Sequence, residues 1–205
     1  VLPSNAENDI LIIYCYAEAT NTNFDLPTGY TEIAQINAGA NKVAFFWKRS
    51  NGAESNPHIV NSGWLNTKIK AAKVDVFRYC KTTGTPYEGL VTNSSNSGVL
   101  TGAAVTTLGI KRLALQLWGR TANTAAAPDA VWTEGYDAGT SGGGGCRFYN
   151  DYRAMNYAGT VPACGRGGTT VNYGMAGIAL IGDGVTRTPT SRTLRKGLYH
   201  YRDRC

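Results

Sequence analysis

The chain aligns with itself at an offset of about 102 residues, and this internal repeat limits its folds more than any other feature. Asn21-Thr22 matches Asn123-Thr124, Tyr30-Thr31-Glu32 matches Trp132-Thr133-Glu134, Phe46-Trp47 matches Phe148-Tyr149, and Val76 matches Ile178. The order of features repeats as well. Each half runs from an apolar strand through a polar Thr/Asn loop and a proline (Pro27, and Pro128 one residue out of step) to an aromatic-Thr-Glu step. A Gly-rich turn (37–40 and 141–145) and an aromatic strand carrying basic residues then follow. A half of this kind makes a three- or four-stranded sheet with one apolar face, which is unstable alone in water. Two of them packed face to face make a sandwich.

Local pattern agrees with that reading. Runs rich in β-branched and aromatic residues at 10–16, 43–47, 74–79, 113–118, 147–152 and 178–181 are separated by clusters of Gly, Asn, Ser, Thr and Pro. Val43, Phe45 and Trp47 alternate with Lys42, Ala44, Phe46 and Lys48, the period of two expected of a half-buried strand, and Leu113, Leu115 and Leu117 repeat the pattern. No window of 11 or more residues keeps a 3.6 period without Gly or Pro interrupting it, so helices should be few and short. The expectation is an all-β, antiparallel, jelly-roll-like β-sandwich over residues 1–184, with pseudo-repeats at about 8–82 and 111–184, followed by an extended basic C-terminal arm, 185–205.

Charge separates the same two parts. The formal net charge is +6 and the pI about 9.1. From Arg187 onward six basic residues face one acid, Asp203, which leaves the rest of the chain close to neutral. The strands carry no interleaved aromatic and basic platform, so sequence-specific nucleic-acid recognition is not expected. The apolar runs fall short of the roughly 20 residues needed to cross a bilayer as a helix, and no membrane span is expected.

Reactive constellations are scarce. Gly139-Thr140-Ser141-Gly142-Gly143 has the letters of a nucleophile elbow, but the glycine tract that follows cannot hold the helix which that geometry requires. The tract also lacks the Gly-Lys-Ser/Thr ending of a phosphate loop and reads as a hairpin loop. His58 and His200 lie far apart in the sequence, with no nucleophile or metal-ligand spacing around either. Glu32 and Glu134 hold equivalent repeat positions, and a two-fold arrangement could bring them together as glycoside hydrolysis requires. The plainer reading makes each the exposed end of a strand. Gly182-Asp183-Gly184 reads as a turn. No catalytic, cofactor or metal set is expected, and the chain reads as non-enzymatic.

Cysteines and aromatics leave two further expectations. Cys15 and Cys80 lie in strand-like runs as small buried hydrophobes, whereas Cys146 and Cys164 bracket a hairpin-sized segment. A disulfide between those two would close a loop of about 18 residues and contribute on the order of 3 kcal/mol in an oxidising compartment. Cys205 is the odd one left. Phe148, Tyr149, Tyr152 and Tyr157, beside the glycine tract, are the best candidates for stacking on a sugar, with Tyr149 and Tyr152 as the glycan-binding pair.

A family resemblance rests on four segments. They are Asp9-Ile10-Leu11-Ile12-Ile13; Leu26-Pro27-Thr28-Gly29-Tyr30-Thr31-Glu32-Ile33; Phe45-Phe46-Trp47-Lys48-Arg49 with Glu54; and Val74-Asp75-Val76-Phe77-Arg78-Tyr79. Together with 113–119 and 177–182, this order resembles β-sandwich domains of tailed-phage virion proteins. The resemblance covers about residues 8–184 and omits the basic arm. It implies a virion location and a capsid decoration (cement), head-fibre or tail-fibre role, with no catalytic residues.

The leading expectation is a decoration protein that assembles as a homo-oligomer, a trimer by preference. It would dock on a capsid or other virion protein through Arg192, Arg195, Lys196, Leu198, Tyr199, Tyr201, Arg202 and Arg204. The alternative is a tail-fibre or surface adhesin module that binds host glycan.

Overall fold

The computed structural model describes residues 4–18, 22–54, 70–121, 125–139, 145–184, 189–191 and 199–200. Among them there is no helix, and every strand pairing is antiparallel. The fold is the all-β sandwich expected from the strand runs.

The first sheet contains β1 (Glu7–Ala17), β2 (Thr31–Ala38), β3 (Asn41–Asn51) and β4 (Lys70–Arg78) in the order β4-β1-β3-β2. The second contains β5 (Tyr87–Thr101), β7 (Arg112–Thr121), β8 (Thr133–Gly139), β9 (Cys146–Met155) and β11 (Gly165–Ile181) in the order β5-β11-β7-β9-β8. A small separate ladder joins β6 (Val105–Thr107) to β10 (Gly159–Val161).

The repeat is therefore structural: β1, β2, β3 and β4 correspond to β7, β8, β9 and β11 in identical sheet order. Even the irregularities recur, since β2 bulges between Glu32 and Ala34 against β3, and β8 bulges between Glu134 and Tyr136 against β9. Aligning the bulges corrects the sequence matches at two places. Trp47 pairs with Thr31 and Ile12, and Tyr152 pairs with Thr133 and Leu115, so Trp47 corresponds to Tyr152 and not to Tyr149. The hairpin between β8 and β9 is longer than the tight turn at Gly39 between β2 and β3, and this displaces the aromatic strand. Likewise Ile12 pairs with Asp75 while Leu115 pairs with Ile178, so Ile178 corresponds to Asp75, one residue before Val76.

The fifth strand of each half crosses to the other. β5 follows β4 in the chain yet pairs with β11, while β12 (Thr190–Ser191) and β13 (Tyr199–His200), which follow β11, pair with β4. Reciprocal hydrogen bonds mark the crossing point: Lys81 N donates to Ile181 O at 2.8 Å, and Asp183 N donates to Tyr79 O at 3.0 Å, around a Cys80–Gly182 bridge. Part of the segment expected as an arm outside the sandwich thus lies along the edge of the first sheet.

The main core lies between the sheets, where Ile10, Ile12, Tyr14, Tyr16, Val43, Phe45 and Phe77 meet Leu113, Leu115, Leu117, Phe148, Ile178 and Leu180. The outer face of each sheet is covered too. Leu11, Ile13, Cys15, Ala44 and Phe46 pack with Phe24 and Tyr30, and Trp118, Tyr149, Tyr173 and Met175 pack beneath Val105 of β6 and Val161 of β10. This is why β1 is a continuous apolar run, and why β3 is buried on both faces from Asn41 to Phe46 instead of on one as its alternation suggests. Gly119 and Gly174 stand opposite each other in the β7–β11 ladder. A Cβ at either would lie 2.8 or 3.0 Å from Val43, so their bareness lets the other sheet approach.

Candidate functional site

Two polar clusters are enclosed by this packing. In the outer one, behind the second sheet, Arg166 extends from β11 with its guanidinium carbon 3.8 Å from the centroid of the Tyr149 ring. Its Nε donates to Asp151 Oδ2 at 2.8 Å and its Nη2 to Asp151 Oδ1, a two-pronged contact, while Nη1 reaches the Ala126 carbonyl. Asp151 Oδ2 also accepts Trp118 Nε1 at 2.9 Å. Arg166 and Asp151 are both buried, and Glu134, 3.3 Å from Nη2, forms the exposed end of the network. Buried charges of this kind persist because their hydrogen-bonding capacity is matched by neighbours.

Arg120, on β7, is different. It is wholly buried, its guanidinium carbon lies 5.3 Å from the Tyr149 ring, and none of its three guanidinium nitrogens has a hydrogen-bond partner. Burial lowers its pKa from the ordinary guanidinium value.

The inner cluster lies between the sheets. Lys73 and Asp75 alternate with Phe77 on the inward side of β4, and Lys73 Nζ is 2.8 Å from Asp75 Oδ2. Asn150, inward on β9, donates its Nδ2 to that same oxygen. The Lys73 nitrogen is 3.0 Å from the centroid of the Tyr136 ring and 4.8 Å from that of Tyr14. Burial pushes the Lys73 ammonium down to about 8 against the opposing pull of Asp75. Burial, then the charge of Asp75, pushes the Tyr136 hydroxyl up to about 12.

The residues expected from sequence to act fall elsewhere. Arg192, Arg195, Lys196, Leu198, Tyr201, Arg202 and Arg204 lie outside the described residues, as do His58, Ser141 and Cys205. Tyr199 and His200 form β13, paired with Ala72 and Ala71. Tyr149, expected to stack on a sugar, is fully buried beneath Arg166, and a ring with no exposed face cannot serve as a platform. Phe148 is buried in the inter-sheet core, Tyr152 is half-buried against it, and only Tyr157 of that group is exposed.

The Cys146–Cys164 disulfide that the sequence left open for an oxidising compartment is not formed. Both residues carry thiols, with Cys146 facing the inter-sheet core and Cys164 the cluster on the opposite face of the same sheet. Burial, then Asp151, pushes the Cys164 thiol up to about 12. Glu32 is held by Gln35 at 2.9 Å and Glu134 by Arg166; among the described residues no hydrogen bond or ion pair joins the two carboxylates. Nor do three or more His, Cys, Asp or Glu side chains come together there as a metal site.

Sequence reading missed the inner cluster altogether. The available signal was the inward alternation of Lys73, Asp75 and Phe77, which puts two charges on the face that the repeat fills with Ala176, Ile178 and Leu180.

One surface feature remains. The turns after β6 and β9 come together through Thr107 Oγ1, which donates to the Tyr157 carbonyl at 3.3 Å, and they expose Leu108, Ile110 and Tyr157 by 75%, 59% and 59%. No protein-family model, curated protein or solved structure matches the chain.

Proposed function

We propose that this protein is a non-enzymatic structural component of a phage virion. In this reading it is a decoration protein that assembles as a homo-oligomer, a trimer, and docks on the capsid and on neighbouring subunits through its C-terminal segment. One observation carries the reading: the C-terminal strands β12 and β13 pair with the edge of β4 through two residues each. Ladders that short hold little area, so the segment can leave its own edge and add to a neighbour's sheet, the exchange by which arms knit subunits together. The basic residues of 187–204 then meet acidic surface on the partner, which favours encounter and register. Two features support a structural role. The charged clusters that enclose Lys73 and Arg166 are spent on internal contacts, and Leu108, Ile110 and Tyr157 offer apolar contact area at one end.

Reconstitution with particles tests the proposal. Deleting 185–205 abolishes incorporation while the remaining chain stays folded, and the substitutions Arg192→Glu, Arg195→Glu and Lys196→Glu together lower occupancy in the full-length chain. Normal occupancy by both variants would overturn it.

A further inference from the structure

We propose that Lys73 and Asn150 are joined by an intramolecular isopeptide bond, with Asp75 as the catalytic residue, so that the two halves of the sandwich are tied covalently through their shared core. The proposal stands apart from the function above and does not depend on it.

The geometry sets the reacting groups around one atom. Asp75 Oδ2 lies 2.8 Å from Lys73 Nζ and also accepts the Asn150 Nδ2 hydrogen bond, so nucleophile and leaving nitrogen share a single carboxylate oxygen. The Lys73 nitrogen sits over the ring of Tyr136, which is the cross-strand partner of Asn150. Asn150 is itself fixed: its Oδ1 occupies the space where a Cβ on Gly135 would stand, at the β8 bulge. Lys73, Asp75 and Asn150 are 3%, 0% and 1% exposed, so water is excluded from the site. The Tyr14 hydroxyl is turned toward the Asp75 and Asn150 side chains, so a third polar group closes on the same carboxylate and carboxamide.

The repeat adds a second argument. Asp75 stands where the other half has Ile178, Lys73 where it has Ala176, and Asn150 where it has Phe45. Lys73 and Asp75 belong to β4 of the first half and Asn150 to β9 of the second, so the carboxamide joins the pair only once the halves close on each other.

The chemistry balances without a co-reactant. Asp75 takes one proton from the Lys73 ammonium, and the freed amine attacks Asn150 Cγ, forming the C–N bond as the carbonyl electron pair moves to Oδ1. Asp75 Oδ2 hands its proton to Nδ2 and takes one from the attacking nitrogen; as the Oδ1 pair returns, the Cγ–Nδ2 bond breaks with its electrons on nitrogen, which leaves as ammonia. Of the three ammonium protons, one remains on the amide, one departs in ammonia and one stays on Asp75. Burial favours the neutral amine by pushing Lys73 down to about 8. The product replaces a buried charge pair with neutral groups.

Mass spectrometry of the denatured full-length chain tests this directly. The wild-type chain is expected to be lighter than its sequence dictates by one ammonia. A tryptic digest should contain a branched peptide joining 71–78 to 148–153, uncut after Lys73. Asn150→Ala and Asp75→Ala should both have full sequence mass, and the wild-type result stands if either fails to fold. A wild-type chain of full mass overturns the proposal. So does an ammonia loss that maps to a linear peptide, such as a succinimide at Asn51-Gly52.

Discussion

Lys73 neutralises a carboxylate that the core has withdrawn wholly from water, and the value of the pair lies in the cost of breaking it. Removing one partner strands a buried charge, at a cost of about 3–5 kcal/mol, whereas replacing both with apolar groups is often neutral or better. The second half supplies the replacement design, because Ala176 and Ile178 occupy the corresponding places. In an Asn150→Ala background, Lys73→Ala should therefore lower stability by several kcal/mol in a denaturant titration. Lys73→Ala with Asp75→Ile, in the same Asn150→Ala background so that no cross-link intervenes, should recover much of that loss. If the double variant proves no more stable than the single one, Asp75 is not a stranded charge. The alternation of Lys73, Asp75 and Phe77 was legible in the sequence, but the partnership with Asn150 was not, because Asp75 and Asn150 are 75 residues apart and meet only across two sheets. Tyr149 failed as a surface residue for a related reason: an aromatic beside a glycine tract looks exposed until Arg166, from a distant strand, covers its ring.

Strands were far easier to read than contacts between them. Runs such as 10–16 and 113–118 announced themselves through β-branched and aromatic residues, and the repeat followed from their order. Burial on both faces was harder to see, since it depends on β6, β10 and the segment carrying Phe24 and Tyr30 lying over the sheets. β12 and β13 were illegible as strands, because Thr190, Ser191, Tyr199 and His200 sit among proline and arginine and take strand form only along the edge of β4. The inter-sheet spacing itself can be tested at Gly174, where a side chain would press on Val43 and Ile36. Gly174→Val should cost about 1–3 kcal/mol through overpacking. Gly167→Ala, at a position with open space around its Cα, should change little by the same titration. Equal effects at the two sites would mean that the sheets do not close on Val43.

For the molecule as a whole, duplication and exchange are the organising facts. Two sheets of the same strand order face each other, each completed at its edge by a strand from the other half, and the exchange is unequal. β5 is a long partner for β11, whereas β12 and β13 give β4 only two short ladders. That inequality leaves the edge of the first sheet with shorter pairings than the edge of the second, and the proposed docking draws on that difference. The same basic segment that gives the chain most of its +6 charge is the one that closes the first sheet. Amide hydrogen exchange on the full chain and on 1–184 tests this most directly. Protection at Ala71, Ala72, Phe77 and Arg78, which β12 and β13 cover, should fall when the C-terminal segment is removed while amides of β1 and β7 keep theirs; equal protection of those four residues in both chains would contradict the proposed role of the segment.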